Sequence, residues 1–201
     1  MAQVQFKLFD IYDVSNIVIT DDALKPFMNF APKLLVKSYG KRNDTKLSKL
    51  NVNLIERLAN RLQVPGHSGR KHKVITSWAS GKYNRNMKTV MQALEIIGKK
   101  TGKNPIQVYA DAINNGSPRD EITVIEQAGA RYPQAVDCSP IRRINLAIRW
   151  MVLGAYAKAF GKKKKMHETL AEEIIKASDN NMESYACGKR NETEKQADSA
   201  R

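Results

Sequence analysis

Cysteine is scarce in this chain: Cys138 and Cys187 are the only two in 201 residues, with no Cys or His at ligand spacing beside either. A disulfide framework and a zinc ribbon are both unsupported, and reduced thiols are the expected state. Long apolar runs are missing too. The stretch from Trp150 to Ala157, the longest uncharged apolar run of the later half, is closed by Arg149 and Lys158. A membrane helix needs roughly 20 such residues, so no membrane partner is expected. The segment from Met1 to Lys7 has no basic leader followed by an apolar stretch, so no secretory signal is expected and the cytoplasm is the default compartment. Acidic residues are the third shortage. Twenty Asp/Glu face 34 Lys/Arg, giving a formal net charge of +14 and a sequence pI near 9.8. That imbalance points to a polyanionic partner.

Chemistry is the fourth absence. Gly98 to Asn104 superficially resembles a phosphate loop, but its glycines are one residue too close, Asn104 stands where Ser or Thr belongs, and it follows a helical pattern instead of a strand. His67 and His72 lie in a basic stretch without a carboxylate or thiol nearby, which suits phosphate contact or solvation better than metal. Glu172 and Glu173 point to adjacent helix faces and form no acid/base pair. No enzyme, no cofactor and no metal site are expected.

What is present is charge, and it is concentrated. Between Lys33 and Lys103 there are 17 Lys/Arg and only three acids, Asp44, Glu56 and Glu95, while the rest of the chain balances at 17 against 17. The excess is therefore a localised field, as a phosphate-binding face requires. A solvated basic surface without a partner is the competing account.

Residues 1–50 read as an irregular N-terminal arm, broken by Pro26 and Pro32 and basic toward its end. Leu54, Ile55, Leu58 and Leu62 share a helical face over about 51–64, stopped by Pro65-Gly66. A basic loop, 66–86, interleaves cations with Trp78 and Tyr83. Val90, Met91, Leu94 and Ile97 predict a second helix ending near Lys99-Lys100-Thr101-Gly102, where cations and glycine suit a C-terminus. Asn104-Pro105 and Ser139-Pro140 each read as a cap followed by proline at the first helical position. They open a third helix, ending at Asn115-Gly116, and a fourth carried by Ile141, Ile144, Ile148, Met151, Val152 and Ala155. Between them, at 121–138, the period changes to two and predicts a β-hairpin turning at Ala128-Gly129-Ala130. Leu170, Ala171, Ile174 and Ala177 mark a fifth helix. The core is thus 51–178, and 179–201 reads as a polar C-terminal tail. The fold class is mainly α: a bundle of five to six helices with one protruding β-hairpin.

Three features fit RNA. In the basic loop Arg70, Lys71, Lys73, Lys82, Arg85 and Lys88 surround two rings on which unpaired bases could stack, unless those aromatics pack in a core. On the fourth helix Arg142 and Arg149 are seven apart on one face, with Arg143 beside them near an N-terminus that attracts phosphate; ordinary surface arginines are the alternative. The hairpin places Arg131 beside a glycine turn, a shape that can enter nucleic-acid grooves.

Six motifs recur in an order that resembles the small-subunit ribosomal protein S seven family, called S five in eukaryotes. They are Val52 to Leu58, Asn104 to Val108, Gly116 to Arg119, Ala135 to Arg143, Leu170 to Glu173 and Ser184 to Ala186. The match runs from about Lys7 to Arg201, and the long basic segment 66–88 resembles the archaeal form. The resemblance implies a structural constituent of the small ribosomal subunit in the cytoplasm: a primary rRNA-binding protein that nucleates assembly of the subunit head, near the mRNA exit and the exit-site tRNA, beside neighbouring small-subunit proteins of head and platform. Carried onto this chain, the rRNA contacts would be Lys41, Arg42, Lys46, Lys49, Arg57, Arg61, the six loop cations above, Arg142, Arg143 and Arg149. The hairpin tip at Gly129, Ala130 and Arg131 would lie near mRNA and tRNA.

The tail departs from the family pattern, with Thr193 and Gln196 where relatives carry aliphatics and with Gly188 and Asp198 where basic residues are common. Residues 187–201 are therefore expected to be mobile in the isolated protein and to add little to stability. Two other classes stand beside this reading: an architectural DNA-binding protein and an RNA-processing enzyme.

Overall fold

The computed structural model describes residues 7–38, 51–64 and 81–201. Among them are α1 (Leu54–Leu62), α2 (Tyr83–Thr101), α3 (Pro105–Gly116), β1 (Asp120–Gln127), β2 (Ala130–Asp137), α4 (Pro140–Ala159), α5 (Met166–Ser178) and α6 (Tyr185–Ser199). The mainly α class with one hairpin is borne out.

Local chemistry sets the helix ends. The Asn53 side chain accepts from the Ile55 N–H at 2.9 Å and opens α1. Asn104 does the same for α3 through Ile106 at 3.0 Å, with Pro105 at the position where a missing N–H is harmless. Gly102, at φ 65°, ends α2 in the left-handed region, its N–H bonded to the Gly98 carbonyl. The Gly98-to-Asn104 stretch is therefore a helix stop followed by a helix cap.

The apolar faces converge on one core. Leu58 of α1, Leu94 and Ile97 of α2, Ile106 and Ile113 of α3, Ile144 and Met151 of α4 and Ile174 of α5 are fully buried. Helix α5 lies against α2, α3 and α4. Two tyrosine hydroxyls satisfy carbonyls of α1: Tyr109 donates to Leu54 at 3.4 Å and Tyr156 to Leu62 at 2.7 Å. The segment expected as an irregular arm adds to this core through Leu8, Leu24, Met28, Phe30 and Val36. It is tied down where the Asn29 carbonyl accepts from the Leu54 N–H and where Ser38 donates to Glu56.

The strands of the hairpin pair antiparallel from Asp120↔Asp137 to Gln127↔Ala130. Ala128 (φ 50°) and Gly129 (φ 81°) form the two-residue loop, and two positive φ angles are what a hairpin turn matching the sheet twist requires. Pro133 faces Val124 with its missing donor on an outer edge. Beyond its base the hairpin is exposed, Val124 and Tyr132 each by nearly three-fifths.

Two expectations are corrected. The last residues of the basic loop, Tyr83 to Asn86, form the first turn of α2, and the Tyr83 hydroxyl donates to the Val36 carbonyl, so this ring packs at the core margin. The apolar content of α2 reaches back through Met87, which extends the helix beyond the expected start.

The tail is the larger correction. It forms the fifteen-residue helix α6, with Ala186, Cys187 and Ala197 buried. The missing apolar stripe is replaced by polar anchors. Glu173 of α5 is fully buried, and its Oε1 accepts from Ser184 Oγ (2.8 Å), the Tyr185 N–H (2.6 Å) and the Ala186 N–H (3.3 Å). Its other oxygen pairs with Lys158. A carboxylate from a neighbouring helix thus caps the positive end of α6. Gly154 permits this approach, since a Cβ there would stand 2.6 Å from Tyr185 Cβ. Farther along, Arg190 donates to the Asn115 carbonyl, Glu194 accepts from the Arg119 N–H, and Arg201 pairs with Asp120.

Candidate nucleic-acid interface

Helices α1 and α4 lie side by side, and their arginines meet in an open groove of about 550 Å³ lined by Arg61, Ser139, Ile141, Arg142, Asn145, Leu146 and Arg149. Arg57 joins from α1, donating to Asn145 Oδ1 at 2.7 Å. On α4 the spacing from 142 to 145 to 149 is three then four, which stacks these side chains on one face over two turns. Burial pushes the Arg57 guanidinium below its ordinary pKa; burial and the neighbouring charge of Arg149 do the same to Arg61. Both remain cations at neutral pH.

These charges lack carboxylate partners. Among the described residues neither Arg57, Arg61 nor Arg149 has an ion pair, and Arg61 Nε is buried without an acceptor. Partly desolvated cations held together repel one another and favour an incoming anion. The end of the groove adds to this. Helix α4 starts there, with Ser139 making no side-chain cap and with no acid in its own first turn.

The other two arginines of α4 are engaged. Arg142, a little over half exposed, meets Glu121 of β1 in a two-pronged ion pair, with Nη2 to Oε2 at 2.6 Å. That carboxylate raises the Arg142 pKa, while burial, aided by the Glu121 charge, pushes the neighbouring Cys138 thiol up to about 11, leaving it neutral. Arg143 points inward: it is buried, paired with Asp21 at 2.7 Å and 3.4 Å from Ser117 Oγ. Desolvation raises the Asp21 pKa, but the hydrogen bonds from Arg143 and the Ala23 N–H, with the Arg143 charge, outweigh it and the net shift is downward. The adjoining pair Arg142 and Arg143 thus divides between surface and interior.

Lys82, Arg85 and Lys88 are exposed along the first turns of α2. At the hairpin tip Gly129, Ala130 and Arg131 are exposed, and Arg131 lies 3.5 Å from Glu126. Lys41, Arg42, Lys46, Lys49, Arg70, Lys71 and Lys73, with Trp78, His67 and His72, fall outside the described residues. Asn145 and Glu121 escaped the sequence reading. The first had a signal in its place between Arg142 and Arg149; the second is 21 residues from its partner and had none.

Among the described residues no cluster of His, Cys, Asp or Glu could hold a metal ion, and no helix is long and apolar enough to cross a membrane. Glu172 pairs with Lys164 at 3.0 Å while Glu173 caps α6, so the two carboxylates share no site.

Comparison with known proteins agrees with this geometry. The family described as ribosomal protein S7p/S5e matches residues 32–201. The small ribosomal subunit protein uS7 of Nanoarchaeum equitans is 43% identical over 198 residues, covering 98% of this chain and all of the relative. Its counterpart in Archaeoglobus fulgidus is 39% identical, covering 96% and 94%, and that of Cenarchaeum symbiosum is 36% identical over the full length of both chains. A helical body, a two-stranded hairpin and an arginine-lined groove, carried by a sequence alike from end to end, make this chain a member of the ribosomal protein S7p/S5e family.

Proposed function

We propose that the groove between α1 and α4 is the rRNA-binding seat through which this protein, a structural and non-enzymatic constituent of the small ribosomal subunit, acts in the cytoplasm as a primary rRNA binder that nucleates assembly of the subunit head. The observation that carries the reading is the set of arginines without a carboxylate partner among the described residues, the partly buried Arg57 and Arg61 and the exposed Arg149, along a groove that ends at the start of α4. Such a site fits phosphates of a folded backbone, because each phosphate seated there relieves repulsion between cations and gains charge-assisted hydrogen bonds. The exposed cations Lys82, Arg85 and Lys88 add to the positive charge a polyanion would meet, and 39–50 and 65–80 are basic in sequence. The exposed hairpin, with Tyr132 and Arg131 near its tip, is the element that reaches toward mRNA and the exit-site tRNA, and neighbouring small-subunit proteins of head and platform are the protein's other partners.

The test is a competition between a folded transcript of the head domain of small-subunit rRNA and a DNA duplex of equal length. Preference for the RNA of about a hundredfold or more at physiological salt is expected for specific recognition. Equal affinity for both would favour an architectural DNA-binding protein.

A further inference from the structure

One carboxylate stands at the edge of the arginine groove. Glu121, the second residue of β1, grips Arg142 with both oxygens, while Arg57, Arg61 and Arg149 have no carboxylate partner among the described residues. The pair is asymmetric. The Arg142 side chain is 55% exposed, within reach of a ligand, whereas Glu121 is 18% exposed and cannot follow it into solvent. Its strand is fixed: the Cys138 N–H bonds the Arg119 carbonyl at 2.7 Å, Arg201 holds Asp120, and Glu194 accepts from the Arg119 N–H.

We propose that Glu121 is a specificity-determining residue of the groove, which withholds Arg142 from loosely fitting polyanions and yields it only to an RNA backbone that seats a phosphate at the start of α4. This rests on the groove being the phosphate seat. A guanidinium held at two points leaves that grip only for an acceptor that matches its fork. A duplex lying across the groove engages the three unpaired arginines and meets a carboxylate at the fourth. A folded RNA whose phosphate lies over Ser139 and Ile141 can combine the α4 amides with Arg142, and that combination outweighs Glu121. Like-charge repulsion from the carboxylate adds to the discrimination, since specificity is a difference of affinities and a repulsive element serves it as well as an attractive one.

The experiment measures binding of the full-length chain to the head-domain rRNA transcript and to the DNA duplex, across a salt series, for five proteins beside the original. Glu121→Gln is expected to raise duplex affinity about three- to tenfold and to steepen its salt dependence by about one in log–log slope, as one more phosphate contact does. RNA affinity rises less, so the RNA/DNA ratio narrows. Arg142→Lys keeps the charge but loses the fork, and it should narrow the ratio too. In an Arg142→Ala background, adding Glu121→Gln should leave duplex affinity unchanged. Unaltered duplex binding by a folded Glu121→Gln protein, or the same rise in the Arg142→Ala background, overturns the proposal. The fifth protein, Arg61→Ala with Arg149→Ala, separates the two failures. If it binds both ligands as the original does, the groove reading itself is wrong; if it binds weakly while Glu121→Gln changes nothing, only the role of Glu121 is wrong.

Discussion

Arginines on two sides of this molecule live under opposite rules. In the α1–α4 groove Arg57 and Arg61 are partly buried, Arg149 is exposed beside them, and none of the three is paired with a carboxylate among the described residues. Around α6 and the base of the hairpin three arginines meet acids: Arg143 with Asp21, Arg190 with Glu194, Arg201 with Asp120. Pairing makes the second region a scaffold, closed on itself. Leaving charges unpaired costs the first region stability and keeps it open to an anion, which is how a binding surface differs from a structural one. Arg142 stands on the border, gripped by an acid yet exposed.

The scaffold side is broken most severely at Glu173. Replacing it with Ala leaves the α6 amides and Ser184 without an acceptor and Lys158 without its counter-ion, and unfolding should become easier by about 3–5 kcal/mol, the size seen when one partner of a buried pair is removed. Chemical denaturation checks the magnitude, and amide exchange should show 185–199 losing protection ahead of α3 and α5. RNA affinity should change far less than stability.

A single atom change inverts the groove's rule. Asn145→Asp puts a carboxylate beside Arg57, already at hydrogen-bond distance from that side chain. Affinity for the head-domain transcript should fall by about 1–3 kcal/mol, the range of a charged hydrogen bond, while thermal stability holds or rises slightly. Opposite signs in the two measurements are the mark of a site whose strain serves binding; a loss in both would place Asn145 among the scaffold residues.

Gly154→Ala comes next. The added methyl would collide with Tyr185 and crowd Glu173 Cδ at 3.0 Å, and a loss of about 1–3 kcal/mol is expected, the cost of overpacking, again with α6 released first. Smallest is Arg201→Ala. Its bonds to Asp120 and Asp198 are solvent-accessible, and a thermal shift equivalent to less than about 0.5 kcal/mol should follow.

How far the sequence could be read follows the same division. Local signals located most elements. Asn104-Pro105 and Ser139-Pro140 start α3 and α4 where the caps indicate, and Leu54, Ile55, Leu58 and Leu62 bury the face their spacing implies. Arg57, Arg61 and Arg149 were legible as basic residues of helical faces, but their convergence across 88 residues, from Arg57 to Asn145, is a tertiary fact. Arg143 is indistinguishable from Arg142 in a sequence; only the approach of Asp21 from the N-terminal segment turns it inward. Helix α6 escaped because periodicity detects apolar stripes. Its docking rests on Glu173 and on small residues at close approach, a carboxylate whose use depends on where a distant chain segment ends.

The salt dependence of head-domain rRNA binding tests the central claim most directly, measured for the original chain and for Arg61→Ala with Arg149→Ala between about 50 and 200 mM salt. The original should fall with a log–log slope of magnitude roughly 4–8, and the double variant should bind more weakly with a slope smaller by about two, at an unchanged or slightly higher thermal midpoint. An unchanged slope and affinity in a folded double variant would contradict it, showing that the unpaired arginines of the groove do not meet the phosphates.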